Sequence, residues 1–141
     1  MAYSIDLAKS ARRHLAAAER LDDSTAPPQH RRRDVAGYLY GVAAECALKE
    51  IMRQSGIYST AGGARRDDPH YAHFPVLKTM LRDHIRGRRA GDLRKFADND
   101  ALMQDWNTDM RYAPAADIKS AWVDRWRDDA RRLVAAMEEA G

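Results

Sequence analysis

Between Val35 and Leu48 the only charged side chain is Glu45. A helix over this run has no polar face of ordinary width, and a helix apolar nearly all round is packed on several sides. The run is too short, and too interrupted by Gly37, Gly41 and Glu45, to cross a bilayer, which takes about 20 apolar residues. It therefore predicts a central core helix over 34–55, around which the rest of the chain has to be arranged. Gly37, Gly41 and Ala44 recur along it at spacings of four and three. Each Gly weakens a helix by about 1 kcal/mol relative to Ala, so the series predicts close packing against another helix or a second subunit.

The flanking segments carry helical periodicity as well. Ser4 as N-cap and Asp6 in the first turn open a helix over 4–21, with Leu7, Ala11, Leu15, Ala18 and Leu21 on one stripe. Pro27 and Pro28 make the following link stiff and non-helical. Gly56 closes the central helix. Phe74, Leu77, Leu81 and Ile85 share one face of a helix over 74–86. Gly91 and Asp92 open another over 92–110 that points Leu93, Phe96, Met103, Trp106 and Met110 inward, with Asp98, Asn99 and Asp100 where it would break. Ile118, Trp122, Trp126, Ala130, Leu133 and Met137 mark a last helix over 116–138. No segment alternates with the two-residue period of a strand. At 141 residues the chain has the usual size of one domain. The expected fold is all-α, one domain over 1–141, an antiparallel bundle of four to five helices.

Composition narrows the function. The single Cys excludes an internal disulfide framework. The N-terminal residues, Met1 to Asp6, lack the charged-then-apolar pattern of a signal peptide, so the expected location is cytoplasmic, with no membrane partner. The net charge of +3 is unevenly spread, with Arg31, Arg32 and Arg33 in one cluster and Arg82 to Lys95 in another. Clustered Arg attracts phosphate backbones, which makes Arg31, Arg32, Arg33, Arg86, Arg88 and Arg89 candidates for nucleic-acid contact. The same residues also suit solvated helix ends. Gly62 and Gly63 lack the Lys-Ser/Thr that completes a phosphate-binding loop. Asp67, Asp68, His70 and His73 have ligand chemistry without a metal-site spacing, so neither a metal nor a cofactor is expected. Cys46 reads as a small core residue and the three Trp as core packing.

Glu45 is the most informative single residue, because a carboxylate in the middle of a buried helix is costly unless paired. Lys49 lies one turn on, and Arg111, beside the inward Met110, is a partner from elsewhere in the chain. Such a pair fixes helix register in one reading. In the other, Glu45 orients an Arg that faces a cleft.

Three pieces in order resemble the HEPN superfamily (higher eukaryotes and prokaryotes nucleotide-binding domains). Ala36 to Lys49, running Ala-Gly-Tyr-Leu-Tyr-Gly-Val-Ala-Ala-Glu-Cys-Ala-Leu-Lys, resembles the corresponding helix of that family. His73-Phe74-Pro75-Val76-Leu77 looks like the start of the next helix in many bacterial members. Trp106 to Tyr112, with Arg111 before Tyr112, looks like the segment preceding their last helix. The resemblance implies an α-helical bundle, commonly dimeric. Many members are toxin ribonucleases, or partners of small nucleotidyltransferases in toxin–antitoxin and defence operons.

The ribonuclease members carry an Arg followed, four to six residues on, by a His, and two chains together form the site. There the Arg polarises the phosphate and the His does acid–base work. This chain has no His after Arg111. Arg65 with His70 and Arg66 with His73 do fit the formula, but chance alone gives about two such matches in a chain this rich in Arg. The resemblance therefore implies a non-catalytic partner or regulatory module, as a homodimer or beside a small nucleotidyltransferase, with RNA as a further contact. The alternative is a metal-independent ribonuclease with a variant site drawn from Glu45, Lys49, His73, Arg111 and Tyr112.

Overall fold

The computed structural model describes residues 3–57, 69–85 and 91–140. Every regular element among them is helical: α1 (Leu7–Leu21), α2 (Arg33–Gln54), α3 (Val76–His84), α4 (Gly91–Ala97) and α5 (Ser120–Ala140). Short 3-10 turns at Pro28–His30, Pro69–Tyr71, Thr108–Tyr112 and Ala115–Asp117 join them. Arg65, Arg66, Asp67 and Asp68, and with them Arg86, Arg88 and Arg89, lie outside the described residues. The fold is the all-α bundle expected from the sequence.

Helix α2 is its axis, buried on most of its faces from Ala36 to Met52. It packs against α1 on one side and α5 on the other. Ser10 meets Cys46 while Asp22 meets Tyr40, so α1 runs antiparallel to α2. Arg12 with Glu138 and Glu19 with Arg131 set α1 antiparallel to α5 in the same way. Helices α2 and α5 point the same way: Arg33 reaches Ser120 and Asp124, and Gly37 lies against Val123 and Trp126. The two glycines do permit close packing: Gly37 lies against Val123 and Trp126 of helix α5, as expected for a neighbouring helix, and Gly41 lies against the Trp106 indole from the non-helical segment before α5. A Cβ on Gly41 would sit 1.9 Å from Trp106 Cε2, and one on Gly37 would sit 3.0 Å from the Trp126 ring.

Several helix ends differ from their sequence expectation. The N-cap of α1 is Asp6, whose carboxylate accepts the Lys9 N–H at 3.0 Å, and Ser4 lies outside the helix. Gly56 ends α2 as expected. It adopts φ 89°, and the Ile57 N–H returns to the Met52 carbonyl at 2.8 Å, closing the last turn.

The largest difference is α4, expected over 92–110 and ending at Ala97. Asn99 Oδ1 accepts the Ala101 N–H at 3.1 Å, a side-chain turn that competes with the helix. Met103 and Asp105 then take left-handed φ values of 52° and 71°. This non-helical stretch is held from outside. Lys78 Nζ donates to the carbonyls of Asn99, Asp100 and Leu102 at 3.0–3.2 Å. The buried Asp129 accepts the Met103 N–H at 2.9 Å, and Trp126 Nε1 donates to the Gln104 carbonyl at 2.9 Å. Past Pro114 a 3-10 turn precedes α5, which starts at Ser120 and not at 116.

Candidate functional site

Three positions on one stripe of α2, Tyr38, Gly41 and Glu45, carry the groups singled out in the sequence. Spacings of three and four keep them on one face. At Glu45 the carboxylate, 5% exposed, receives two hydrogen bonds. His73 Nδ1–H donates to Oε1 at 3.0 Å, and the Phe74 backbone N–H donates to Oε2 at 2.8 Å. Burial raises the Glu45 carboxyl above its ordinary range, and the bonds from His73 and Phe74 and the charge of Lys49 act against that rise. The bond orients the His73 ring, which is 57% exposed and turns its Nε2 edge away from Glu45. The partner of Glu45 is thus His73, with Lys49 contributing charge from one turn on, and not Arg111.

At Gly41 the Trp106 indole lies flat against the helix, and its Nε1 donates to the Gly37 carbonyl at 3.1 Å. Trp106 stacks on Tyr38 with centroids 5.7 Å apart and planes 14° from parallel, and meets Phe74 edge-on. Arg111 belongs to the third station. Its Nε donates to the Thr108 carbonyl at 2.9 Å, and its guanidinium lies 5.8 Å from the Tyr38 ring centroid and 5.1 Å from that of Tyr112. Tyr112 is 80% exposed. The five candidates therefore divide. Glu45, Lys49 and His73 gather at one end of the stripe, Arg111 and Tyr112 at the other, and Trp106 stands between.

Of the arginine cluster, Arg31 and Arg33 converge on Asp22, which is buried and also accepts the Tyr40 hydroxyl at 3.0 Å. Arg33 continues to Asp124, so one guanidinium ties the end of α1 to the start of α5. Arg32 is exposed. Cys46 is half-buried with Ser10 Oγ 3.4 Å from its Sγ, and burial pushes its thiol up, away from nucleophilic character. A cavity of about 320 Å³ lies beside Lys49, lined by Leu7, Met52, Ile57, Pro69 and His70. No group of three His, Cys, Asp or Glu with metal-site geometry occurs among the described residues.

Asp22, Lys78 and Asp129 organise the polar interior and were not singled out in the sequence. Asp129 had a legible signal, since it lies between Trp126 and Leu133 on the inward stripe of α5 just as Glu45 lies on α2. Among the described residues no helix is long and apolar enough to cross a membrane. Compared with protein-family models, with curated proteins and with solved structures, the chain gives no match.

Proposed function

We propose that this chain is a HEPN-like helical module that works by binding and not by catalysis, as the partner or regulatory subunit of a toxin–antitoxin, nucleotidyltransferase-linked or defence-type system, with RNA among its contacts. The observation that carries the reading is the separation of His73 from Arg111. Metal-independent cleavage of a phosphodiester needs an acid–base group and a charge stabiliser around one phosphate. His73 is held at Glu45 and Arg111 at Tyr38, positions about 10 Å apart along the helix, with the Trp106 indole filling the space between. Both side chains are occupied in fastening the segments that follow α2. The test is twofold. The purified chain should leave a mixed RNA pool intact in a chelator, and should co-purify with a small nucleotidyltransferase when co-expressed with its neighbouring genes. Cleavage that disappears in Arg111→Ala overturns the reading.

One observation favours a second reading, a metal-independent ribonuclease acting in the cytoplasm. The Glu45–His73 pair, a buried carboxylate orienting an exposed imidazole, is an arrangement suited to general acid–base chemistry. If His73→Ala leaves RNA cleavage and cell toxicity unchanged, that reading fails.

A further inference from the structure

Two features not joined by the sequence lie side by side. The first is a cleft of about 420 Å³ lined by Arg31, Arg32, Arg33, Asp34, Ala115 and Ile118. The second is the succession Trp106, Tyr38, Arg111, Tyr112, in which each group lies against the next and the last is open to solvent. They share both walls. On α2, Asp34 lines the cleft and Tyr38 follows one turn later, on the same face. On the opposite wall, Tyr112 of the stack is joined to Ala115 of the cleft through the extended residues Ala113 and Pro114.

Each feature suits a different part of one ligand. A tyrosine backed on one side by a guanidinium and exposed on the other extends its stack by one more flat ring, and every nucleobase offers such a face. The cleft supplies the charge that tracks a phosphate backbone. Asp22, beneath Arg31 and Arg33, holds those two guanidinium groups in place, so little side-chain freedom is lost when an anion arrives. A guanidinium has five N–H donors, and Arg31 uses two of them on Asp22. Arg32, exposed between the two, completes the cluster.

We infer that the arginine cleft and the Tyr112 stack form one binding surface for single-stranded RNA, with a base stacked on Tyr112 and a neighbouring phosphate at Arg32. A duplex keeps its bases inside and has none to offer Tyr112, so the surface discriminates against it. The inference rests on the RNA contact in the proposed function and names where and how that contact is made.

The test is fluorescence anisotropy of the full chain with a labelled single-stranded oligonucleotide whose riboses are 2′-O-methylated. Such a strand cannot be cut through its 2′-hydroxyl, so binding is read whether or not the chain is a ribonuclease. Tyr112→Ala should weaken binding about tenfold and Tyr112→Phe should restore it. Arg32→Ala should lower the steepness of the salt dependence by about 0.7, the share of one phosphate contact on a single strand. Both residues are exposed, and a thermal melt of each variant separates loss of binding from loss of fold. The inference is overturned by equal affinity for a duplex of the same sequence, by a Tyr112→Ala variant that binds as the wild type does, or by no binding below about 0.1 mM at low salt. None of these touches the partner reading, which stands or falls on co-purification.

Discussion

Gly41→Ala is the sharpest perturbation the fold offers, because one methyl group meets the side chain on which the site is built. The added Cβ would lie 1.9 Å from Trp106 Cε2 and 2.0 Å from its Nε1. The indole has to retreat by about 1.5 Å to regain ordinary contact. It is 2% exposed, with Tyr38 and Phe74 packed against it. Overpacking of this kind costs about 1–3 kcal/mol. Retreat also breaks the bond from Nε1 to the Gly37 carbonyl and leaves both groups buried, at about 1–3 kcal/mol. The helix propensity of Ala returns about 1 kcal/mol. The net expectation is a loss of about 1–5 kcal/mol, centred on about 3 and equivalent to a fall of about 10 °C in Tm for a domain of this size.

Gly37→Ala is the internal control. Its Cβ meets Trp126 at 3.0 Å and Val123 at 3.2 Å, which asks for a shift of only a few tenths of an ångström. There the propensity gain roughly offsets the strain, and stability should stay within about 1 kcal/mol of wild type. Thermal and urea unfolding, followed by ellipticity and tryptophan emission, gives both values. A Gly41→Ala variant melting within about 2 °C of wild type, or melting above Gly37→Ala, refutes the placement of Trp106.

Glu45→Gln should change the pH dependence of stability as well as its size. Burial raises the Glu45 carboxyl above 4.5, so the folded state holds its proton more tightly than the unfolded chain does. That contribution is lost as pH rises from about 4.5 through the raised folded value. Gln cannot titrate, so the variant's urea midpoint should lack this fall, while one of the two donors on Glu45 loses its acceptor at a cost of about 1–2 kcal/mol. An unchanged slope above about pH 4.5 counts against it. Lys78→Met removes the donor shared by three carbonyls and should cost about 2 kcal/mol. Amide exchange should accelerate over 99–105 and not in α1 or α2, and unaltered protection there would refute the role. Tyr40→Phe deletes one buried bond to Asp22, which keeps Arg31 and Arg33. A loss of about 1 kcal/mol is expected in chemical denaturation, and a loss above about 3 kcal/mol would mean that Tyr40 alone holds the Asp22 cluster.

The helices were legible because their burial has a period. Phe74, Leu77, Leu81 and Ile85 are buried as their spacing requires, and so are Trp126, Ala130, Leu133 and Met137. The stretch from Asp98 to Asp105 defeated that reading. Met103 and Trp106 are buried at helical spacing, yet the backbone between them is not helical. Periodicity reports which side chains are inside, and a chain tied from outside by Lys78, Asp129 and Trp126 satisfies the same burial with a different backbone. The site was legible only in part for a related reason. Glu45 stood out as a lone charge in an apolar run, but its partner is fixed by where the chain returns after α2. His73 reaches it through the turn preceding α3, whereas Arg111 arrives one station too early along the helix, at Tyr38.

Three buried carboxylates now share one physical role. Asp22, Glu45 and Asp129 are each less than a tenth exposed. Each accepts hydrogen bonds from a connection that leaves the regular helices: Arg31 before α2, His73 and Phe74 before α3, and Met103 after α4. A bundle whose links are irregular has to find acceptors for their N–H groups, because an unpaired donor in the interior costs about 1–3 kcal/mol. Glu45 and Asp129 meet that demand for the Phe74 and Met103 N–H groups, and Asp22 fastens its link through the Arg31 side chain. On the proposed reading each of these three carboxylates is a fastening before it is a reagent, and Glu45 marks the centre of the architecture. The groups left for recognition are those outside the fastenings, Tyr112 and Arg32, at the other end of the same stripe, where Arg111 backs the Tyr112 ring beside the arginine cleft. On that division of labour, substitutions at the carboxylates should move stability first, and those at Arg32 and Tyr112 should move binding alone.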